Sequence, residues 1–573
     1  MSLEAYKAVR SRSLAILIIS ALVYVASFSE QARAQDLSLN LADQFGRSIF
    51  TGAAQPMLDL SHSDSPLSGL SITGLLSNTS GMWANSAELT NFGRAAGEHH
   101  GANSLSVERN WIQADSNYVL DGNNKFFVRF WGVYEPPYPW ESTNILSEQQ
   151  VYDKSQSQFY NQYTVRDAFW KNTTGPLTLF LGRQIVTWGE SLSFRVGDVI
   201  NPQDLSWNFG FANLEQSRLP LWMVHPILNL PKAGPFTDNF IEGVWAPAWQ
   251  PMYTNVDYAD NRYAGLHSIA GSVNLQPPGG ARFDTYPYPF TTPAQTPPGM
   301  QAAFPQVTNL VSQVQTYRLP SDTWANSVEG FRLHTLVEDA EITALYWHGH
   351  QLNNTMFVNG TPQIGQTFQF RYPELNDVGI TLNRPIYIPV GALANVPFVL
   401  RTEGVWQDRT PFNTLNTARP SAVVYSSTLN TLAALDVDGL ATPWLSRTGA
   451  LTLNLEWNNY TILSPNKDLV YGGYAEHWRH NEENLLFSAS TSWWWGAVVP
   501  TPTAIFNPDG NTWEFFPNIV LTPPWTNKYL LMLEFIGVLS NDKYSAYAGG
   551  NFKGKNILLM QFQYNFDLVR GRN

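Results

Sequence analysis

The sequence contains no cysteine. A thiolate metal site, a cysteine nucleophile and a disulfide framework are therefore all excluded. Charged residues are also scarce, since only 14% of the chain is Asp, Glu, Lys or Arg, and the net charge is −12. Nucleic-acid binding is disfavoured, because it requires clustered Lys and Arg.

Long apolar runs are missing everywhere except at the N-terminus. There, basic residues precede an apolar run over 14–28, and the small residues Ala32 and Ala34 follow it. This pattern predicts a secretory signal peptide over 1–34. No later stretch has 18 consecutive apolar residues, so a mature chain that spans a membrane would have to span it with strands. Residues 35–66 show no steady period and are predicted to be a periplasmic segment or a plug, and 67–573 the barrel itself.

Signals for catalysis and for metal binding are also absent. The sequence has no G-x-S-x-G elbow, and no serine and histidine have neighbours that suggest they meet, so an enzyme is not predicted. His348 and His350 share one face of a predicted strand, but no third ligand is evident. We therefore predict neither a metal nor a cofactor.

What the sequence does contain in quantity is aromatic residues, 14% in all, with 21 Trp and 25 Tyr. These side chains have an apolar body, and Trp and Tyr add a polar tip that suits the boundary between lipid and water. On composition alone, a secreted aromatic-rich sandwich or carbohydrate-binding protein is the alternative.

A period of two recurs along most of the chain and predicts strands. Examples are the alternating stretches 126–133, 331–335 and 342–346 around a turn at Glu338 and Asp339, 374–384, 398–407, 451–456, 485–495 and 558–568. In 451–456, apolar residues alternate with polar ones, as in a barrel wall. At ~10 residues per strand plus turns and long loops, a chain of this length supplies roughly 14 to 18 strands. We therefore predict an all-β fold, a transmembrane antiparallel β-barrel, with 276–300 in a surface loop.

The most informative stretch runs from Gly175 to Pro220. It begins as a strand with Leu177, Leu179 and Leu181 on one face. After the Gly182-Arg183-Gln184 end of this strand, the chain becomes irregular and carries both signs of charge. We predict a loop that folds into the lumen and narrows it. The predicted pore-lining or constriction residues are Arg183, Glu190, Arg195, Asp198, Glu215 and Arg218.

Arg183 poses a conflict within this stretch. Strict alternation places it on the face of Leu179 and Leu181, where a mid-bilayer arginine costs about 2–4 kcal/mol. A bulge or a strand end at Gly182 would turn the guanidinium inward, toward a carboxylate such as Glu190. The alternative is a structural clamp that holds the loop.

Four further residues are predicted to shape the loop rather than to contact a solute. They are Gly182, Asn201, Pro202 and Asp204. Asn-Pro and Asp are common in turns, because Asn and Asp side chains bond to nearby backbone and Pro fixes its own φ.

The same stretch resembles the signature of an uncharacterised family of proteobacterial outer-membrane proteins, classed only as a domain of unknown function. The resemblance rests on 167–169, GPLTLFLGRQIVTWGE over 175–190, VINPQDL over 199–205, 214–215 and 218–220, with 241–243, 328–330 and 403–405 in later strands. It implies an outer-membrane barrel. By association only, it also implies traffic in hydrophobic compounds or lipids beside RND-type exporters, and a lipoprotein-localisation-like periplasmic partner.

The predicted function is therefore an outer-membrane channel or transporter, for passive passage of hydrophobic or lipid-like small molecules. Its predicted partners are outer-membrane lipid, a small-molecule solute and a periplasmic transport partner. A porin for small polar or anionic solutes, or a structural barrel that docks a periplasmic partner, are the alternatives.

Overall fold

The computed structural model describes residues 58–60, 66–85, 87–88, 99–100, 103, 105–134, 162–204, 214–252, 314–318, 320, 323–352, 355–361, 365–389, 391, 396–414, 423–464, 469–470, 480–540 and 556–571. The predicted signal peptide and the predicted surface loop at 276–300 lie outside these residues. Of the predicted plug or periplasmic segment 35–66, only 58–60 and 66 are described.

The described strands are numbered in chain order. The first half comprises β1 (Leu58–Asp59), β2 (Leu70–Trp83), β3 (Ala87–Glu88), β4 (His99–His100), β5 (Leu105–Val119), β6 (Asn124–Tyr134), β7 (Gln162–Thr174), β8 (Leu177–Gln184), β9 (Leu221–Leu230), β10 (Phe236–Ala246), β11 (Val314–Arg318), β12 (Val328–Val337), β13 (Ala340–His350) and β14 (Thr355–Thr361). The second half comprises β15 (Gly365–Arg371), β16 (Glu374–Tyr387), β17 (Pro397–Thr414), β18 (Val423–Leu440), β19 (Leu451–Ile462), β20 (Leu469–Val470), β21 (Asn481–Ser490), β22 (Val498–Thr501), β23 (Thr503–Asn507), β24 (Thr512–Phe515), β25 (Asn518–Leu521), β26 (Tyr529–Ser540) and β27 (Ile557–Arg570).

Helical structure in the described residues is limited to short turns. These are the helix α1 (Leu214–Ser217) and 3₁₀ turns at Pro66–Gly69 and Trp324–Asn326. No described helix has the length and apolar character needed to cross a bilayer.

The chain divides into two units, 1–73 with 566–573, and 74–565. In the described part of the first unit, β1 pairs in parallel with Val569 and Arg570 of β27. Leu60 N extends this pairing by donating to Arg570 O at 2.7 Å.

The second unit contains a continuous antiparallel sheet. Each wall strand pairs with the wall strand that follows it in the chain, from β5 through β26 to β27. β2 pairs with both β5 and β27, and beside the latter pair Ala84 N donates to Asn556 O at 2.8 Å. The sheet therefore closes on itself as a barrel. We count β22 and β23 as one interrupted strand, and β24 and β25 as another. On this count the barrel has eighteen strands in the described residues.

This architecture confirms the predicted antiparallel barrel, and its strand number lies at the upper end of the predicted range. The turn at Glu338 and Asp339 does join β12 to β13, and β27 includes the whole predicted closing strand.

Two predicted strand ends are wrong. β21 ends at Ser490, and the tryptophans beyond it lie in a turn, where Trp494 and Trp495 have positive φ values of 51° and 56°. β17 does not end near Asp408 but continues to Thr414, with a register shift between Gln407 and Thr410. Arg409, at φ 56°, absorbs this bulge. In both places a left-handed residue, which local alternation does not reveal, changes the path of the chain.

The outer face of the wall is apolar. Large side chains at alternate positions are strongly exposed, as at Val378 and Ile380 on β16 and at Leu558, Met560 and Phe562 on β27. A barrel satisfies all its backbone groups between strands, and an exposed apolar band adapts it to lipid. The protein is therefore a β-barrel of the kind found in bacterial outer membranes.

The intervening residues face inward, and many are polar. Examples are Glu242, Asp377, Arg401, Glu403 and Glu456, all of which are less than 10% exposed. At one end of the barrel, short turns join β5 to β6, β7 to β8, β9 to β10 and β12 to β13, and the strand ends that lead into the longest connections lie at the other end. The connection between β8 and β9 begins at the end with the long connections.

Candidate functional site

The connection over 185–220, here called the inward loop, folds into the barrel as predicted in its described residues, 185–204 and 214–220. Its apolar side chains pack against inward-facing residues of the wall. Val186, Trp188 and Ile200 lie in one buried cluster with Met223, Val244 and other residues of β9, β10, β12, β13 and β16. Val196 lies in a second cluster, with residues of β17 and β18. The loop therefore covers the inner face of the wall from β9 to β18.

Two wall carboxylates hold the tip of the loop by its backbone. Glu403 of β17 accepts hydrogen bonds from Glu190 N at 2.5 Å and from Gly197 N at 2.6 Å. Glu456 of β19 accepts from Leu192 N at 3.0 Å and from Ser191 Oγ at 2.9 Å. Such hydrogen bonds to a charged acceptor contribute about 1.5–3 kcal/mol each.

Arg401 of β17 completes this anchor. It donates to Glu190 O, and it forms ion pairs with Asp436 at 2.5 Å and with Glu456 at 3.0 Å. Asn430 of β18 adds a contact further along the loop, because its Nδ2 donates to Arg195 O at 3.0 Å. The loop is thus fixed to three consecutive strands, β17, β18 and β19.

Sequence reasoning missed Arg401, Glu403 and Glu456 as site residues. Each of them contacts loop residues that lie more than 200 positions earlier in the chain. The available signal was an ionisable side chain on the inward face of a wall strand. Such a residue marks the lumen but does not identify its partner.

Asn201 joins the two ends of the loop. It is fully buried; its Oδ1 accepts from Val186 N at 2.8 Å, and its Nδ2 donates to Leu219 O at 2.8 Å. Close by, Leu219 N donates to Pro202 O at 2.7 Å and Asp204 N to Ser217 O at 2.5 Å. These contacts are in keeping with the loop-shaping role predicted for Asn201, Pro202 and Asp204.

We expect Asn201→Ala to lower the free energy of unfolding by about 2–6 kcal/mol, because two buried backbone groups lose their partner at a cost of about 1–3 kcal/mol each. Urea titration of the purified protein in detergent, followed by tryptophan fluorescence, measures this change. Asn239→Ala is the control, because Asn239 is only half-buried near the start of β10, where its amide donates to Pro231 O and Phe236 O and accepts from Thr335 Oγ1. Equal midpoints for the two variants would contradict the role assigned to Asn201.

The charged residues predicted to line the pore contact one another only in part. Arg218 pairs with Asp198 at 2.7 Å, but Arg195 uses its guanidinium on the backbone, donating to Asp198 O at 2.5 Å and Asn201 O at 2.7 Å. Burial lowers the pKa of Arg195, and Asp198 opposes this shift. The side chain of Glu215 lies outside the described part of the structure.

Glu190 lies on the anchor side of the loop. Burial raises the pKa of its carboxyl group, and the like charge of Glu341 adds to this shift, whereas a hydrogen bond with Asn383 opposes it.

The bulge predicted at Gly182 is wrong. The register of β8 is unbroken against both neighbours, with Arg183 opposite Ala168 and Trp222. Arg183 therefore shares the outward face of Leu177 and Trp222, next to the last residue of the strand. Its guanidinium donates to Val165 O at 3.0 Å and Pro220 O at 3.3 Å. These bonds tie the end of the loop to the wall, as in the alternative in which Arg183 is a structural clamp. A role of Arg183 in the pore stays a prediction.

A bulge does occur one strand earlier, in β7. The register between β6 and β7 shifts between Arg129 and Phe130, and the residue that this inserts is Arg166. Arg166 stacks over Trp131 at 3.5 Å from the ring centre, and it donates to Gln216 O at 3.2 Å and to Arg218 O. It thereby holds the returning part of the loop.

The inner wall on the other side of the barrel carries a row of apolar side chains, here called the apolar inner wall. It consists of Leu75, Trp83, Val107, Trp111, Trp131, Val133, Phe516, Ile536, Val538, Ile557 and Leu559. These residues come from β2, β5, β6, β26, β27 and the junction between β24 and β25. Trp111 and Trp131 meet edge to face at 4.4 Å between ring centres. None of them belongs to the clusters that hold the inward loop.

Comparison with known proteins agrees with the resemblance seen in the sequence. The model of a family described as "Protein of unknown function (DUF1302)" matches residues 19–247, a range that includes the whole of the inward loop and its sequence signature. No curated protein gives a match.

Several solved structures are similar in fold. OccAB1 of Acinetobacter baumannii is 9% identical, with a TM-score of 0.45 over 89% of this chain and 99% of that chain. OpdK of Pseudomonas aeruginosa, determined with vanillate, is 8% identical, with a TM-score of 0.41 over 87% of this chain and 98% of that chain. OmpF of Salmonella typhi, in a complex with daunomycin, is 7% identical, with a TM-score of 0.36 over 87% and 97%.

Proposed function

We propose that this protein is a non-catalytic channel of the outer membrane that passes hydrophobic or lipid-like small molecules. The observation that carries this proposal is the apolar inner wall. In a wide barrel the lumen-facing positions are polar when water fills the channel. Here alternate residues are apolar on both faces of the same strand, as at Leu558 and Met560 outside and Ile557 and Leu559 inside.

The inward loop supports this proposal by its position. It is anchored to β17, β18 and β19 and packs on the wall from β9 to β18, so the apolar inner wall stands opposite it. A solute that passes between them would have to uncover aromatic and aliphatic side chains on the wall side, because nearly all of those of the apolar inner wall are buried in the structure. Burial of apolar surface contributes about 25 cal/mol per Å², so a hydrophobic solute would partition into this path.

The direct test compares cells with and without the protein for uptake of a labelled aromatic hydrocarbon, and proteoliposomes for swelling in sugars. We expect faster hydrocarbon uptake and little swelling. Replacing Ile557 and Leu559 together by Gln should reduce hydrocarbon uptake several-fold, because both side chains face inward and the change replaces apolar surface with polar surface. The variant should still fold, since a lumen position tolerates polar groups. Gln561→Asn, on the same inward face of β27, is the control. Undiminished uptake in the double variant would contradict the proposal.

A porin for small polar or anionic solutes is the second candidate, and the observation that favours it is a charged pair on the inner wall. Arg129 and Asp115 pair at 2.8 Å on β6 and β5, nearer the short-turn end than Trp131. Strong liposome swelling in sugars without hydrocarbon uptake would favour this candidate. A barrel that only docks a periplasmic transport partner would show neither activity, and that partner remains a prediction from the resemblance.

A further inference from the structure

A cavity of ≈ 270 Å³ lies between the inward loop and the wall. Its loop side is formed by Arg195, Asp198 and neighbouring residues, and its wall side includes Trp347, Asp377 and Gln407. The wall residues belong to the strand ends that carry the long connections. The cavity is therefore separate from the apolar inner wall on which the proposed function rests.

Two residues that line the cavity each carry a hydrogen-bond donor that has no partner within the described structure. The donors are Nη1 of Arg195 and Nε1 of Trp347, both buried. The other guanidinium nitrogens of Arg195 bond only to backbone carbonyls. Two donors, one of them cationic, match the two oxygens of a carboxylate.

The same cavity is lined by two carboxylates, Asp198 and Asp377, that can accept further hydrogen bonds. Asp198 uses Oδ2 for Arg218, whereas its Oδ1 has no partner among the described residues. Asp377 is 3% exposed and accepts from Gln407 Nε2 at 2.9 Å, but it has no ion pair in the part of the chain that the structure describes. Buried carboxylates without a cation are costly, and an ammonium group would offset that cost.

The remaining lining is partly apolar, through Val199, Leu375, Val405, Met252 and Leu352. Arg218, which is not a lining residue, pairs with Asp198, and the opposite charges of Arg195 and Asp377 balance each other. The cavity therefore favours a ligand with no net charge. We propose that it binds a small zwitterion with a carboxylate, an ammonium group and an apolar side chain, that is, a molecule of the aliphatic α-amino acid class.

Calorimetric titration of the purified full-length protein in detergent tests this proposal with three related probes. These are L-leucine, 4-methylpentanoate, which lacks the ammonium group, and 3-methylbutylamine, which lacks the carboxylate. We expect L-leucine to bind at least about tenfold more tightly than either analogue, which corresponds to one charge-assisted contact. Equal binding of all three, or no binding of L-leucine, would overturn the proposal.

Two near-isosteric variants assign the contacts. Asp377→Asn should weaken L-leucine binding by about tenfold and leave 4-methylpentanoate unchanged. Trp347→Phe removes the Nε1–H donor and shortens the aromatic side chain, so it should weaken binding of L-leucine and 4-methylpentanoate but not of 3-methylbutylamine. Asp339→Asn, in the turn at the opposite end of β13, should change nothing. Unaltered L-leucine binding in both cavity variants would also overturn the proposal.

Discussion

Replacing Gly182 by alanine is expected to prevent most of the protein from assembling as a folded barrel. Gly182 lies in β8 with a φ of +136°, and a Cβ atom there would lie 2.2 Å from Ala168 O and 2.7 Å from Phe169 Cα. Both are backbone atoms of the neighbouring strand, so they cannot yield without breaking the β7–β8 ladder. The backbone conformation alone costs a residue with a side chain about 1–3 kcal/mol, and the steric conflict adds to this.

The fraction of folded protein in outer-membrane preparations, measured by its heat-modifiable mobility on gels, reports this effect. Gly404→Ala is the matched control, because Gly404 also lies within a wall strand but has no atom within 4 Å of the position of a Cβ. The control should fold normally, with a stability change within about 0.5 kcal/mol. A folded yield of Gly182→Ala equal to that of Gly404→Ala would show that the close approach of β7 and β8 is not required.

The wall was predictable because its signal is local. Alternation over a single strand identifies an apolar outer face, and it placed β12, β13, β16 and β27 correctly. It failed where one residue leaves the extended conformation, as at Arg409 in β17 and at Trp494 beyond β21. A left-handed residue with a large side chain has no simple sequence signature.

Arg183 shows why the local signal was not sufficient within the candidate site. The apparent cost of an outward arginine suggested a bulge, but that cost falls toward zero near the interfaces of the bilayer. Arg183 stands next to the last residue of β8 and bonds to two backbone carbonyls there. The register of β8 is regular. What the sequence did not show is how deep in the bilayer Arg183 lies.

The anchor of the inward loop was beyond sequence reasoning for a different reason. The charged residues of the loop were visible, but the loop is held chiefly by its own backbone N–H groups, which every sequence has. Their partners, Glu403 and Glu456, lie on distant strands that come close to the loop only when the barrel closes. Gly197 gives a further indication, because a Cβ atom there would lie 2.9 Å from Glu403 Oε2. The glycine permits the approach of the carboxylate.

Releasing this anchor should open the lumen. In Glu403→Gln the shape of the side chain is kept, but one of its two acceptor oxygens becomes an NH₂ group that faces either Glu190 N or Gly197 N. The variant thus loses one charge-assisted bond outright and weakens the other, at about 1.5–3 kcal/mol each. Because Glu456 and Arg401 still hold the adjacent backbone, we expect the loop tip to fluctuate rather than leave the barrel. Single-channel recordings in planar bilayers should show a several-fold higher mean conductance with frequent closures.

Combining Glu403→Gln with Glu456→Gln should remove the closures and leave a steadily higher conductance, since the tip then keeps no carboxylate acceptor on β17 or β19. Asp339→Asn is the control: Asp339 is an exposed carboxylate in the turn between β12 and β13, and it pairs with Arg384 and not with the loop. The control should conduct like the unmodified protein. If the double variant conducts no more than the control, the inward loop does not limit passage, and the route of the solute must lie wholly along the opposite wall.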